Sequence, residues 1–222
     1  MSERTLRVVD AGERRTRPPR SGCDSPHVKR AFDIVVAGVG LAVSVPVLGV
    51  IAAAIAAESP GGIMFRQERV GRQGRTFRIH KFRTMRVDHD GSLVSVSGDA
   101  RVTRVGRVLR TTKLDELPQL WDVVVGDMSL VGPRPEVPVY VAQWPAQLRE
   151  EILSVRPGVT DPGSIAFRNE ADELAAADDP ERHYVASILP RKAALYAAYV
   201  RERTFTGDLR ILADTALAVL RG

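Results

Sequence analysis

The chain has 222 residues and is basic, with a formal net charge of +5 at pH 7. This charge balance suits an anionic partner such as phospholipid, nucleic acid or a phosphorylated substrate. Cys23 is the only cysteine, which excludes an internal disulfide and a cysteine-rich metal site. The length accommodates one domain together with a membrane element.

Residues 1–27 have no hydrophobic period and mix arginines with prolines and glycine. This composition predicts a disordered basic tail. Such a tail either draws the protein to anionic lipid or is solvated and has no role.

The apolar run Ile34–Ala57 contains no charged residue and is bounded by Asp33 and Glu58. As a helix it would cover the roughly 30 Å hydrocarbon core of a bilayer. A soluble core helix would normally show a polar stripe, and none is present. The run therefore predicts a membrane helix over residues 28–58, with a fully buried helix of a soluble protein as the alternative.

Pro46 lies near the middle of this run and predicts a broken or bent helix, because proline removes a helical hydrogen bond. Ser44 is placed to satisfy the carbonyl that Pro46 leaves free. Basic residues stand on both flanks, with Lys29 and Arg30 before the run and several arginines after it. Since positive charge marks the cytoplasmic side, both ends are predicted to face the cytoplasm as a re-entrant helix, with an ordinary span as the alternative.

Residues 59–222 are predicted to form one small domain of mainly helical α+β class. The extended segments Ile63–Glu68 and Thr76–Phe82, joined through Gly71–Gly74, predict a β-hairpin. The helical patterns that follow lie at Val105–Leu109, Thr112–Val125 (ending at Gly126), Glu136–Leu153 (interrupted at Pro138 and Pro145), Pro180–Arg203 (disturbed at Pro190) and Asp208–Leu220. The last helix is amphipathic, so it either lies in the membrane interface or packs on the domain core.

Asp115 and Glu116 are adjacent acids with Arg110 and Lys113 just upstream. One interpretation is structural, because Thr112 followed by Asp115 resembles a capping box and acids in a first turn favour the helix dipole. The other is catalytic, because a carboxylate among cations can hold a divalent ion or attack phosphorus. The local pattern leaves both open.

Arg134 stands between Pro133 and Pro135, which restrict the backbone on both sides of it. A guanidinium on a stiff loop is pre-organised for a phosphate, although a tight turn with a solvated arginine has the same pattern. Lys81, with the arginines that follow it, forms a second cationic patch. The four histidines lack metal-site spacing, and no nucleophile triad, P-loop or dinucleotide motif is found.

Together these segments resemble the bacterial sugar transferases that act on polyprenyl phosphate, specifically the small monotopic phosphoglycosyl transferases. The resemblance covers most of residues 29–222 and is carried by several motifs in the same order. The matching stretches are Lys29–Asp33, Ser59–Gly61, Phe65–Gly71, Lys81–Met85, Leu114–Leu120 and Gly126–Pro135.

The resemblance implies that the protein transfers a sugar-1-phosphate from a UDP-sugar to undecaprenyl phosphate, releasing UMP, with Mg²⁺ as cofactor. This would be the first membrane step of a glycan such as an exopolysaccharide. Asp115 would be the nucleophile that forms a covalent phosphosugar intermediate and would also contact the metal, with Glu116 as its partner.

The resemblance also implies that Arg134, with Pro133 and Pro135, binds phosphate, and that Lys81 and Arg110 are further cationic site residues. The membrane helix would be re-entrant and broken at Pro46, on the cytoplasmic face of the inner membrane in contact with membrane lipid.

Two departures from the family pattern stand out. Val45 occupies the place before the membrane proline where serine is common, with Ser44 one residue earlier. Val159–Gly163 replaces a glycine-tryptophan segment, so the sugar specificity is expected to differ if this region touches the sugar.

Two competing hypotheses belong to other functional classes. A basic nucleic-acid binder is disfavoured because aromatic residues make up only 5% of the chain and are not interleaved with the arginines, so no nucleic-acid partner is expected. A catalytically silent scaffold of the same family is disfavoured by the intact acid pair and Arg134.

Overall fold

The computed structural model describes residues 25–86 and 93–221. The basic tail predicted over residues 1–27 therefore lies outside the described residues, except for its last three positions. The described residues form a mainly helical α+β structure with one long apolar helix and small sheets, which confirms the predicted fold class.

Helix α1 spans Pro26–Glu58, about 50 Å of helix at 1.5 Å per residue. Among the described residues it is the one helix long and apolar enough to cross a membrane. Val43 and Val50 on this helix are 73% and 71% exposed. A buried helix of a soluble protein would not leave such residues open to water, so the exposed surface indicates association with a membrane.

The backbone of α1 remains α-helical through Pro46, so no non-helical segment divides it into two helices. The predicted break of the helix at Pro46 is therefore wrong. Ser44 Oγ donates to Gly40 O at 2.6 Å, the carbonyl four residues before Ser44 itself. The carbonyl that Pro46 leaves free is that of Ala42, four residues before the proline, so the predicted role of Ser44 is wrong. The re-entrant path through the bilayer stays a prediction.

Both ends of α1 are attached to the rest of the protein. At the start, Arg30 donates to Val123 O (2.8 Å) and Val124 O (3.2 Å). At the far end, the Glu58 carboxylate accepts the backbone N–H groups of Arg104 (2.7 Å) and Val105 (3.0 Å), which begin helix α2 (Arg104–Thr112). The residues close to the two ends of the apolar run therefore attach α1 to the rest of the protein.

The predicted hairpin is present. Strands β1 (Met64–Val70) and β2 (Thr76–Phe82) are antiparallel and are joined through a short 3₁₀ turn, Arg72–Gly74. Gln73 and Gly74 have positive φ angles in this turn, which glycine adopts at no steric cost. The hairpin presents Lys81 toward the site described below.

The prediction of a single helix over Thr112–Val125 is wrong. Three separate elements cover this region. Helix α2 (Arg104–Thr112) ends at Lys113, whose φ of 57° is left-handed. A 3₁₀ turn, Leu114–Glu116, follows, and α3 (Gln119–Val125) ends at Gly126 as expected. Thr112 Oγ1 donates back to Val108 O at 2.8 Å, so the capping-box interpretation of Thr112 and Asp115 is also wrong.

A second, parallel sheet pairs β3 (Ser129–Val131) with β4 (Gly158–Thr160), and no sequence pattern predicted it. Each strand is only three residues long, too short to show an alternating period. This pair fixes the loop that carries Arg134.

The remaining helices pack into a core around Tyr184, Ile188 and Tyr196. The disturbance predicted at Pro190 is a π-helical segment just before it, the kind of local widening that a proline inside a helix induces. The bounds are α4 Pro138–Val141, α5 Ala146–Ile152, α6 Gly163–Ala166, α7 Glu170–Ala175, α8 Pro180–His183, the π-segment Tyr184–Ile188, α9 Leu189–Glu202 and α10 Phe205–Arg221.

Helix α10 packs Ile211 and Leu212 on the core that includes Val123 and Met128. Leu209 and Leu217 remain exposed. The helix therefore packs on the domain, and its predicted contact with the membrane interface stays a prediction.

Candidate active site

A cavity of about 680 Å³ opens beside the 3₁₀ turn that carries Asp115 and Glu116. Its lining combines six cationic residues with the four acids Asp115, Glu116, Asp161 and Glu170, so the excess charge is positive and favours anions. The cationic lining residues are Lys81, Arg110, Lys113, Arg134, Arg168 and Lys192.

Asp115 is 1% exposed, and neither of its carboxylate oxygens makes a hydrogen bond within the described residues. Lys81 Nζ lies 2.7 Å from Oδ2 and is its counter-ion. A buried carboxylate that no hydrogen bond holds carries an unsatisfied acceptor, which is costly in a structural group. This environment distinguishes Asp115 from a capping residue, because Lys81 is the one partner of its carboxylate among the described residues.

Glu116 has the opposite environment. Arg134 Nη2 donates to Oε1 at 2.5 Å, and Lys81 Nζ lies 3.3 Å from the same oxygen. Burial alone would raise the pKa of Glu116, but the positive charges of Arg134 and Lys81 outweigh burial and lower it. Glu116 is therefore an anion that holds two cations at the edge of the cavity, and it correspondingly raises the pKa of Arg134.

Arg110 reaches the cavity from the last turn of α2. Its Nε donates to Thr84 Oγ1 at 2.9 Å and its Nη1 donates to Ser95 Oγ at 2.7 Å. Burial lowers the pKa of this guanidinium, while Asp115 acts in the opposite direction. With these hydroxyl partners, the charge of Arg110 is oriented but not neutralised by direct contact.

Pro133 and Pro135 are buried and do not line the cavity, although the sequence placed them with Arg134 as binding residues. Their carbonyls fix the loop: Gly158 N donates to Pro133 O at 3.0 Å, and Arg69 Nη1 donates to Pro135 O at 3.0 Å. Their place is therefore beneath the site, where they position Arg134.

The far wall of the cavity is made of residues that the sequence did not single out. Asp161 accepts Gly163 N at 2.6 Å and Ser164 Oγ at 2.8 Å. Lys192 pairs with Glu170 at 2.5 Å, and Tyr196 is buried four residues further along α9. Their spacing places Lys192 and Tyr196 on one helical face, but only the fold shows that this face meets the acid pair.

Burial raises the pKa of the Tyr196 phenol strongly, and Asp161 raises it further, so the phenol stays neutral and can donate a hydrogen bond. Asp161 follows β4 inside the segment that departs from the family pattern. The neutral polar groups of this wall suit the hydroxyls of a sugar or nucleoside better than a phosphate.

The donor set is compatible with magnesium. No group of three or more His, Cys, Asp or Glu side chains suited to a metal is found among residues 25–86 and 93–221. Mg²⁺, however, is commonly held by one or two carboxylates, with substrate phosphates and water completing the shell. Asp115 fits that role, since Lys81 alone contacts its carboxylate among the described residues, whereas Glu116 is held by both Arg134 and Lys81.

Several known proteins are similar in sequence to this chain, and a family model matches most of it. A family model described as "Bacterial sugar transferase" matches residues 25–222. A UDP-glucose:undecaprenyl-phosphate glucose-1-phosphate transferase of Caulobacter vibrioides is 47% identical over 86% of this chain and 69% of its own length. A protein of the same name from Escherichia coli is 36% identical over 83% of this chain and 38% of its own.

A UDP-N-acetylgalactosamine-undecaprenyl-phosphate N-acetylgalactosaminephosphotransferase of Aeromonas hydrophila is 41% identical over 71% of this chain. The match covers 39% of that relative. The chain thus spans about two fifths of the length of two of these relatives and about two thirds of the third.

Proposed function

Because this chain belongs to the bacterial sugar transferase family, we propose that it transfers a sugar-1-phosphate from a UDP-sugar to undecaprenyl phosphate and releases UMP. The observation that carries the proposal is the buried carboxylate of Asp115, which accepts no hydrogen bond among the described residues and is paired with Lys81, in a cavity with several more cations in its lining. The names of the three relatives support the substrate classes.

In the first half-reaction, one carboxylate oxygen of Asp115 attacks the phosphorus that bears the sugar. A bond forms between that oxygen and phosphorus, the bond from phosphorus to the bridging oxygen of the diphosphate breaks, and UMP leaves with that oxygen. The product is an aspartyl phosphosugar. Lys81, now 2.7 Å from Asp115, neutralises charge on the phosphoryl oxygens, and Arg110 and Arg134 assist it.

In the second half-reaction, a phosphate oxygen of undecaprenyl phosphate attacks the same phosphorus. The bond to Asp115 breaks, the carboxylate is regenerated, and the lipid diphosphosugar is released. Two phosphorylated substrates repel each other, and a covalent intermediate allows them to occupy the cavity in turn. Glu116 keeps Lys81 and Arg134 in place through both steps.

Mg²⁺ is part of the proposal. Asp115 would hold it, together with oxygens of the donor diphosphate and water. When bound, the ion supplies Lewis-acid stabilisation of charge on the transferred phosphoryl group.

The proposal places the enzyme on the cytoplasmic face of the inner membrane, with α1 embedded as a re-entrant helix. An acceptor whose phosphate lies at the membrane surface is then within reach of a shallowly embedded enzyme. The reaction would open the assembly of a glycan.

The test is sugar-dependent release of UMP by the purified protein in detergent, with undecaprenyl phosphate, Mg²⁺ and a panel that includes UDP-glucose and UDP-N-acetylgalactosamine. Asp115→Asn is expected to lose at least about a thousandfold in rate, because it removes the nucleophile. Asp178→Asn is the matched control, since Asp178 is exposed and lies outside the cavity. Retained activity in Asp115→Asn would overturn the assignment of the nucleophile.

The intermediate is tested separately. Incubation of the wild type with donor and without acceptor should add the mass of a sugar phosphate to the peptide that contains Asp115, and hydroxylamine should remove it. Turnover without this adduct, together with an acceptor requirement for UMP release, would contradict the covalent step but leave the overall reaction standing.

A further inference from the structure

A second cavity, of about 250 Å³, lies where the start of α1 meets the hairpin turn and the junction of α9 and α10. It shares no lining residue with the catalytic cavity. The charged lining residues are Lys29, Arg30, Asp33, Arg72, Arg156, Arg203 and Asp208.

The two carboxylates of this second cavity are already engaged. Lys29 Nζ lies 3.1 Å from Asp33 and 3.0 Å from Asp208, so one lysine serves both acids. Ser129 Oγ also donates to Asp33 at 2.7 Å, and Tyr199 donates to Asp208 at 2.7 Å. Lys29, Ser129 and Tyr199 are thus the partners of the two acids.

Two of the arginines are bonded to neutral acceptors. Arg30 donates to the carbonyls at the end of α3, and Arg156 Nε donates to Gly126 O at 2.8 Å. The Arg72 side chain is exposed at the hairpin turn and makes no hydrogen bond or ion pair with the described residues. Burial and the nearby charges of Arg30 and Arg72 lower the pKa of Arg156, while Asp33 and Asp127 act in the opposite direction.

Arg72 and Arg156 line the same small cavity. Like charges that share a cavity repel one another, and an anion between them relieves the repulsion. The size of the cavity suits a small anion better than a nucleotide-sugar. Its rim includes Pro26, the first residue of α1, and the apolar run begins two turns later at Ile34. The cavity therefore lies close to where α1 is expected to enter the membrane surface, where lipid phosphates are found.

We propose that this second cavity binds the phosphate of an anionic membrane lipid through Arg72 and Arg156, at a site separate from the catalytic cavity. Free phosphate shares this chemistry. The lipid is favoured because the cavity adjoins the start of the apolar helix. The site would fix the hairpin turn and the start of α1 to the membrane surface together.

The test measures binding of short-chain phosphatidylglycerol, phosphatidylcholine and inorganic phosphate to the purified full chain in neutral detergent. Arg72→Gln is expected to weaken phosphatidylglycerol binding about fivefold, and Arg72→Glu more, since one basic residue near an anionic surface contributes about that factor. Arg75→Gln is the matched control, because it removes the same charge three residues away and does not line the cavity. It should bind as the wild type does.

Each other result contradicts a defined part of the proposal. Equal weakening by Arg72→Gln and Arg75→Gln would mean general surface attraction and no built site. Binding of inorganic phosphate that depends on Arg72, without binding of phosphatidylglycerol, would overturn the lipid as the occupant. Equal affinity for phosphatidylcholine would overturn recognition of charge.

The measurement needs no turnover, so its outcome is independent of the proposed transfer reaction. Asp115→Asn should bind phosphatidylglycerol as tightly as the wild type. Loss of lipid binding in that variant would instead place the lipid in the catalytic cavity.

Discussion

At the scale of single residues, Asp115 and Glu116 show how neighbours in the chain acquire different chemistry. Asp115 has no hydrogen bond and one cation beside it, whereas Glu116 accepts from Arg134 and lies beside Lys81. A carboxylate that attacks phosphorus needs a lone pair that no hydrogen bond occupies. A carboxylate that positions cations must instead stay in contact with them. The geometry therefore favours Asp115 as nucleophile and Glu116 as its support.

We expect Glu116→Gln to lower the free energy of unfolding by about 1–3 kcal/mol at pH 7, because Arg134 and Lys81 lose their shared anion. The folded-state pKa of Glu116 is depressed, so its stabilisation is complete above the unfolded-state pKa near 4.5 and is lost as pH falls below that value. Urea unfolding of both proteins between about pH 7 and pH 3 measures this difference.

The stability difference between wild type and Glu116→Gln should therefore narrow as the solution is acidified. A difference that stays constant over the whole acid range would contradict the electrostatic assignment. Glu150→Gln is a suitable control, since Glu150 is exposed and lies outside the cavity.

Gly158 occupies a position where the surrounding backbone leaves no space for a Cβ atom. A Cβ at this position would overlap Gly132 N and Thr160 O and would lie 2.6 Å from Gly132 O. We expect Gly158→Ala to cost about 1–3 kcal/mol of stability or more, because backbone atoms of the parallel pair cannot move aside. UMP release should fall as well, since the loop that carries Arg134 is displaced.

Gly62→Ala is the control for this effect. A Cβ there meets nothing closer than 3.9 Å, so the melting temperature should change little. Equal melting temperatures for Gly158→Ala and the wild type would contradict the close approach of β3 and β4.

The site residues that can be found from the sequence are those that carry a local signal. Asp115 and Glu116 are adjacent among cations, and Arg134 stands between two prolines. Asp161 lies in Val159–Gly163, the segment that departs from the family pattern, but Tyr196 has no signal of any kind. The relation of both to the acid pair arises only when β4 and α9 pack beside the 3₁₀ turn.

At the scale of secondary-structure elements, the link between β2 and α3 sets the position of Lys81. Buried Asp122 accepts His80 N at 3.0 Å through one oxygen and lies 2.5 Å from His80 Nδ1 through the other. His80 precedes Lys81 in the strand, so this link fixes the strand that carries the counter-ion of Asp115.

We expect Asp122→Ala to lower stability by about 1–3 kcal/mol, because a buried N–H loses its acceptor. UMP release should fall with it, and Asp122→Asn should recover part of both because it keeps an acceptor oxygen. Thermal unfolding and the release assay measure the two effects. Full activity with unchanged stability in Asp122→Ala would show that the link does not position Lys81.

The length and periodicity of each element determine whether it can be predicted from the sequence. The hairpin and the long helix have clear periods or lengths, and both are predicted. The 3₁₀ turn is missed because Lys113 adopts a left-handed conformation, and the sequence has no glycine at this position to indicate it. The parallel sheet is missed because its strands are short and lie far apart in the chain.

At the scale of the whole molecule, the attachments of α1 bear on its path through the membrane. Ala37 packs in one core with Val123 and Met128, and Ile51 and Ile55 pack in another with Phe82 and Leu109. A straight span would put the two ends of α1, which are attached through Arg30 and Glu58, on opposite sides of the bilayer. One domain that holds both ends therefore favours the re-entrant path.

We therefore expect Cys23, the only cysteine and just upstream of α1, to lie on the same side of the membrane as the catalytic domain. A membrane-impermeant maleimide should label Cys23 in inverted vesicles and not in right-side-out vesicles. Ala176→Cys in a Cys23→Ser background, at an exposed position after α7, reports the side of the domain. Labelling of Cys23 and of this introduced thiol from opposite sides would overturn the re-entrant path.

Pro46→Ala separates two causes of that path. If the proline alone turned the helix back, the variant would become a straight span and Cys23 would change sides. The contacts of Arg30 and the ion pairs of Lys29 at one end, and those of Glu58 at the other, are untouched by this substitution. We therefore expect Cys23 to stay on the same side of the membrane as residues 59–221 in Pro46→Ala, because the attachments at both ends of α1 are unchanged and would decide the path.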